Sequence, residues 1–149
     1  MNQEQIQALR DALQFSPDNL SLRKLLCEAL YNNANYVEAE TEYKNAIQFA
    51  SNDIALKLGL SNCFYALQKY SAAQVVLEEI LEADETNANA YFLLSKTQLA
   101  QQEIQLAKLY YDKAVALNNS FRNTDYENEL NSKIKQSGAA TPINMSDDD

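Results

Sequence analysis

Three consecutive blocks of the chain repeat with a period of 34 residues and no insertion between them. Ala39, Ala73 and Ala107 share one position of the repeat, Leu26, Leu60 and Leu94 a second, and Tyr43, Leu77 and Tyr111 a third. A period of this size belongs to solenoids, in which one supersecondary unit cannot bury its own apolar face and stacks on its neighbour. Stacked units offer a long surface for another chain rather than an enclosed pocket for chemistry.

Each block reads as two helices. The 149 residues include only two Gly and two Pro, too few turn formers for an all-β fold. In the second block, Leu56, Leu60, Phe64 and Leu67 recur at helical spacing and predict a helix over 54–67. Gln68 and Lys69 make a turn. Ser71 is placed to cap a second helix that ends near Ala83, with Val76, Leu77, Ile80 and Leu81 as its apolar stripe. Small residues fall where paired helices must approach: Cys27, Ser61 and Ser95 on the first helix, and Ala39, Ala73 and Ala107 on the second. Bulk there would push the axes beyond the roughly 8–10 Å of close packing. Tyr36, Tyr70 and Ile104 open each second helix.

This order of residues resembles the tetratricopeptide repeat: Leu then a small residue on the first helix, an aromatic at the turn, then Ala, an aromatic or Leu, and Ala again on the second. The resemblance covers Leu20 to Phe121 and extends back over Met1–Asn19, where Leu9, Ala12 and Phe15 are in phase with Tyr43, Ala46 and Phe49. It implies an all-α, right-handed solenoid of helical hairpins. The boundaries are a half-repeat helix over 1–19, repeats at 20–53, 54–87 and 88–121, and a capping helix over 122–136. Thr124-Asp125-Tyr126-Glu127 looks like a capping box, and Tyr126, Leu130 and Ile134 give that helix one narrow apolar stripe. Residues 137–149, ending in Asp147-Asp148-Asp149, read as a disordered acidic tail.

The chain departs from the family pattern in places. The glycine usual at the turn inside the repeat is Ala34, Gln68 and Gln102 here, at a cost of about 1 kcal/mol each if the turn is left-handed. The closing proline is Ser51, Glu85 and Asn119. Gln98 stands where Leu30 and Phe64 are apolar, which predicts a looser third repeat.

Composition narrows the function. The net charge of −9 opposes a nucleic-acid partner, which needs clustered Lys and Arg. It equally opposes an anionic membrane surface, and no apolar run reaches transmembrane length. Met1–Gln7 is polar and lacks the pattern of a signal peptide, so the expected compartment is the cytoplasm. With no histidine, the commonest general base and metal ligand is missing. Cys27 reads as a small buried residue rather than a nucleophile. Glu38, Glu40 and Glu42, spaced by two, read as a solvated helix face rather than paired catalytic carboxylates. The sequence predicts no cofactor, no metal and no enzymatic activity.

The resemblance implies that the first helix of each hairpin lines a concave groove for an extended peptide or a partner's helix. Its groove residues are then Lys24, Glu28 and Tyr31, followed by Leu58, Asn62 and Tyr65, then Phe92, Lys96 and Leu99, with Tyr126 from the cap. Chaperone-binding relatives grip a C-terminal carboxylate with Lys, Asn and Arg. The matching positions here are Lys24, Glu28, Gly59, Asn89 and Leu93, of which only Lys24 fits. An Hsp70 or Hsp90 tail is therefore disfavoured, and a basic or apolar peptide suits the charge. Two further expectations stand beside this one. The arrangement also resembles the repeat region preceding the motor domain of some bacterial AAA-type ATPases, which would make the chain an N-terminal regulatory part of a larger enzyme. Pairing through the groove or end faces would make it a homodimer.

Overall fold

The 34-residue period is written into the backbone as a recurring set of helix starts and stops. In the computed structural model, which describes residues 1–138, eight α-helices follow one another and no strand occurs among those residues. They are α1 (Gln3–Phe15), α2 (Leu20–Asn32), α3 (Tyr36–Phe49), α4 (Ile54–Ala66), α5 (Tyr70–Ala83), α6 (Ala88–Ala100), α7 (Ile104–Leu117) and α8 (Thr124–Ser137). The chain divides into two compact units, one over Met1–Ala83 holding α1 to α5 and one beginning at Asp84 that holds α6 to α8.

Helix starts repeat because their caps repeat. Asn19, Asp53 and Asn87 hold one position of the period. Each side-chain oxygen accepts the backbone N–H three residues on, from Leu22 (3.1 Å), Leu56 (3.1 Å) and Ala90 (2.9 Å). Such a cap satisfies one of the orphan donors of the first turn and contributes about 1 kcal/mol. Ser71 does not cap α5, which already begins at Tyr70 and holds Ser71 inside its first turn. The last helix is likewise capped by Asn123, which accepts from Tyr126 N–H at 3.0 Å, rather than by Thr124. A single 3₁₀ turn at Asn119–Phe121 precedes it. Helix α8 runs one residue past the expected end and closes on Gly138 in the left-handed region. The expected acidic tail, beyond Ser137 and Gly138, lies outside the described residues.

Helix stops repeat as well. Ala34, Gln68 and Gln102 have φ of +62°, +62° and +68°. After each, a backbone N–H reaches back to the helix: Asn35 to Leu30 O (2.8 Å), Lys69 to Phe64 O (2.8 Å) and Glu103 to Gln98 O (2.9 Å). This is a Schellman stop, which wants glycine at the left-handed position because a Cβ there meets the following carbonyl.

In the first unit the core runs along the hairpins. Leu26, Cys27 and Leu30 of α2, Ala39, Tyr43 and Ala46 of α3, and Leu56, Leu60, Cys63 and Phe64 of α4 are buried, with Ile6 and Leu13 of α1 completing the cluster. Gly59 of α4 is required by this packing: a Cβ there would overlap the ring of Tyr43. In the second unit Ala90, Leu93, Leu94 and Ala114 are buried, and Ala107, Tyr111 and Leu130 form a cluster on which Phe92, Leu99, Val115 and Tyr126 pack. The looser third repeat anticipated from Gln98 is not found. Gln98 is buried, and α6 with α7 forms the most extensive helix pair among the described residues.

The three turns make a direct prediction. Ala34→Gly, Gln68→Gly and Gln102→Gly each raise unfolding stability, by about 0.5–1 kcal/mol, after the extra freedom of glycine in the unfolded chain is subtracted. Denaturant midpoints check this; unchanged or lowered midpoints would show that the left-handed turns carry no strain.

Candidate functional site

On α2, Lys24, Glu28 and Tyr31 lie four and three residues apart and share one face. On α4, Leu58, Asn62 and Tyr65 repeat the pattern one period later, and α2 packs beside α4. These six residues therefore hold equivalent positions on two neighbouring helices of the first unit. Glu28 is exposed, while Lys24, Tyr31, Leu58, Asn62 and Tyr65 are half-buried. The aromatic members are held in place. Tyr31 stands edge-on to Tyr36 with ring centroids 5.3 Å apart, and Tyr65 stands edge-on to Tyr70 at 5.6 Å. Burial raises the Tyr31 phenol above its ordinary pKa, so it stays a neutral hydroxyl.

The charges on this surface are unevenly satisfied. Helices α2 and α4 carry three cations and one acid. Lys24 Nζ is 2.7 Å from Asp53, the cap of α4. Arg23 donates to Pro17 O at 2.6 Å and its guanidinium lies 4.4 Å from the centre of the Phe49 ring. Lys57 lies 3.8 Å from Glu79. Every cation thus has an internal partner, whereas the single acid, Glu28, has no ion-pair partner among the described residues. Asn62 is half-buried and its side-chain amide makes no hydrogen bond among them. No cation of α2 or α4 is left without a partner with which to grip an anionic terminus.

The cluster at 38–42 corrects the sequence reading. Glu40 is 8% exposed, not solvated, and takes Lys44 (2.7 Å) and Lys69 (2.8 Å) on its two oxygens. Burial opposes its ionisation, but the hydrogen bonds from the two lysines outweigh that and hold its carboxyl below the usual range. Glu38 and Glu42 both bind Arg10, at 2.8 and 3.1 Å, and tie α3 to α1. These carboxylates are structural. Cys27 and Cys63 are fully buried, and burial pushes both thiols up to about 12, so neither presents a thiolate. Among the described residues no three His, Cys, Asp or Glu side chains gather as metal ligands, and no helix is long and apolar enough to cross a membrane.

In the second unit the expected surface residues are drawn into holding α8. The ring of Phe92 lies 5.3 Å from Phe121 and 5.7 Å from Tyr126, centre to centre. Ser95 donates its one hydroxyl proton to Ala107 O at 2.6 Å, so the 2.8 Å contact with Tyr126 is donated by the tyrosine. Tyr111 accepts Asn123 N–H at 2.9 Å. Lys96 sits 5.9 Å from the centre of the Phe92 ring. Phe92, Leu99 and Tyr126 are thus spent largely on the cap. Helical spacing alone does not separate a binding stripe from a cap contact, because both are half-buried apolar rows.

Residues 35–96 match the family model of the tetratricopeptide repeat. No curated protein matches the chain in sequence. Among solved structures, MamA 41-end from Desulfovibrio magneticus RS-1 is similar with a TM-score of 0.79, at 19% identity over 91% of this chain and 75% of that one. The first tetratricopeptide domain of Spaghetti (RPAP3), bound to the HSP90 peptide SRMEEVD, gives 0.71 at 18% identity, over 80% of this chain and 94% of that one. The TPR2B domain of yeast Sti1, in complex with pHsp70, gives 0.68 at 19% identity, over 79% and 97%. At these identities the likeness establishes the fold: an all-α array of tetratricopeptide-type hairpins.

The pairing of Lys24 with Asp53 predicts a pH effect. The hydrogen bond from Lys24 is the main reason the Asp53 carboxyl lies below its ordinary pKa. A group depressed in this way contributes stability that is full above its unfolded value, near ~4, and is lost as pH falls through the folded value. Asp53→Asn keeps a capping oxygen but removes the charge. Its stability at pH 7 should fall by less than about 1 kcal/mol, and its further loss between roughly pH 4 and pH 2 should be smaller than in the wild type. Parallel acid titrations followed by circular dichroism check this, and superimposable acid limbs would contradict it.

Proposed function

We propose that the chain is a protein-interaction module whose first unit docks an extended segment or a helix of a partner polypeptide on the α2–α4 face. Docking is reversible and involves no covalent chemistry. The observation that carries the reading is the composition of that face: Tyr31, Leu58 and Tyr65 as half-buried anchors around Glu28 and Asn62, polar groups with no hydrogen-bonded or ionic partner among the described residues. Apolar anchors supply the desolvation energy of binding, and unpaired polar groups supply its orientation.

Fold likeness adds support without naming a ligand. The RPAP3 domain is bound to a chaperone peptide ending in acidic residues, and the Sti1 domain is in a complex with pHsp70. An acidic tail suits this face poorly. Lys24, the one cation where a clamp would need several, is already paired with Asp53, and Glu28 would face the ligand's negative charge. The binding role is assigned to the first-unit residues, while Phe92, Leu99 and Tyr126 hold the cap of the second.

Selection of a random-sequence peptide library against the full chain tests the proposal. Enriched peptides should bind Leu58→Ala and Tyr65→Ala at least about tenfold more weakly than the wild type, the loss of one anchor each. Binding that is unchanged in both variants, or a library that yields no binder at all, would overturn it.

A further inference from the structure

The floor of the α2–α4 face contains a polar group that nothing in the first unit uses. Tyr43 of α3 is 7% exposed, and its hydroxyl makes no hydrogen bond among the described residues. Buried phenols nearly always find a partner, since a buried hydroxyl without a hydrogen bond has lost its water and gained nothing in exchange. The ring reaches α4 only because position 59 is glycine, and the hydroxyl end of the ring is part of what a Cβ there would strike. Burial first, then the Cys27 and Cys63 thiols, then the Glu28 carboxylate raise the Tyr43 phenol well above its ordinary pKa. The hydroxyl therefore stays protonated, with its lone pairs free to accept, and it lies within electrostatic reach of Glu28.

The first unit thus holds an exposed carboxylate with no ion-pair partner and a buried hydroxyl with no hydrogen bond among the described residues, and the carboxylate is near enough to act electrostatically on the phenol. Around them Arg23, Lys24 and Lys57 are all engaged elsewhere, by Pro17 and Phe49, by Asp53 and by Glu79. Asn62 adds an amide with no hydrogen bond. What such a set lacks is a cation carrying several N–H donors. Within the docking reading above, on which this inference rests, we propose that the α2–α4 face takes a lysine or arginine side chain of the partner segment, its charge paired by Glu28 and one of its N–H groups accepted by the Tyr43 hydroxyl.

The same library selection separates this inference from the reading beneath it. The wild-type chain should enrich peptides containing Lys or Arg, with affinity that falls as salt is raised. For a peptide so selected, Glu28→Gln and Tyr43→Phe should each weaken binding about threefold to tenfold, with substitution of the peptide's basic residue by Gln abolishing the difference between wild type and Glu28→Gln. Glu28→Lys should reverse the charge preference of the enriched pool. Tyr43→Phe retains the ring over Gly59, and an unfolding midpoint equal to or above that of the wild type confirms that its weakened binding is not a loss of fold. Enrichment of acidic or uncharged peptides, or a pool unaltered by Glu28→Lys, would overturn the basic-residue site while leaving the docking face intact. A failure to enrich any peptide would overturn both.

Discussion

Close approach of paired helices is the constraint from which the rest follows. In the first unit Cys27, Ala39, Ser61 and Ala73 are fully buried, and in the second Ser95 and Ala107 are as well. These are small side chains at the repeat positions where helices meet, so axes can come near the lower end of the ~8–10 Å range. Gly59 takes the principle to its limit and lets the hydroxyl end of the Tyr43 ring lie where a Cβ of α4 would be. Large residues then fill the layers between: Leu26, Leu30, Leu56 and Phe64 in the first unit, Tyr111 and Leu130 in the second. Dense packing of this kind tolerates little change in volume. It also fixes which side chains are left on the outside of α2 and α4, and that remainder is the candidate site.

Electrostatics adds a second layer. The lysines and arginines of the first unit are consumed internally: Arg10 by Glu38 and Glu42, Lys24 by Asp53, Lys44 and Lys69 by Glu40. Most of these pairs are partly exposed and individually contribute under about 1 kcal/mol. Their larger effect is on function. With these cations spent on structure in a chain of net charge −9, Glu28 is the charge of α2 and α4 left without a partner among the described residues. The same hairpin scaffold that can present a basic clamp here presents Glu28 and an orphan hydroxyl.

Much of this was legible in the sequence, because a 34-residue period sets helix count, hairpin order and the burial of Ala39, Ala73 and Ala107 at once. The left-handed turns at Ala34, Gln68 and Gln102 could be anticipated as departures from glycine. The caps at Asn19, Asp53 and Asn87 share the period and were equally readable, but apolar periodicity does not point to polar residues between helices. Asn123 is out of phase with them because the 3₁₀ turn at Asn119–Phe121 shifts the register. Glu40 could not be placed from its own spacing, since its burial depends on Lys69 from a later turn, 29 residues on. Tyr43 read simply as a core aromatic. That its hydroxyl is orphaned, and that Gly59 is the reason it fits, are properties of two helices together and of neither alone.

The most direct test of this account is the unfolding free energy of Gly59→Ala. In an exposed helix interior that change would stabilise by about 1 kcal/mol. Here the added methyl must displace the buried Tyr43 ring, and overpacking of that kind costs about 1–3 kcal/mol beyond any helix gain. The account predicts a net loss of at least about 1 kcal/mol in denaturant unfolding. A variant as stable as the wild type, or more stable, would contradict the close packing of Tyr43 on α4 and with it the floor of the proposed site.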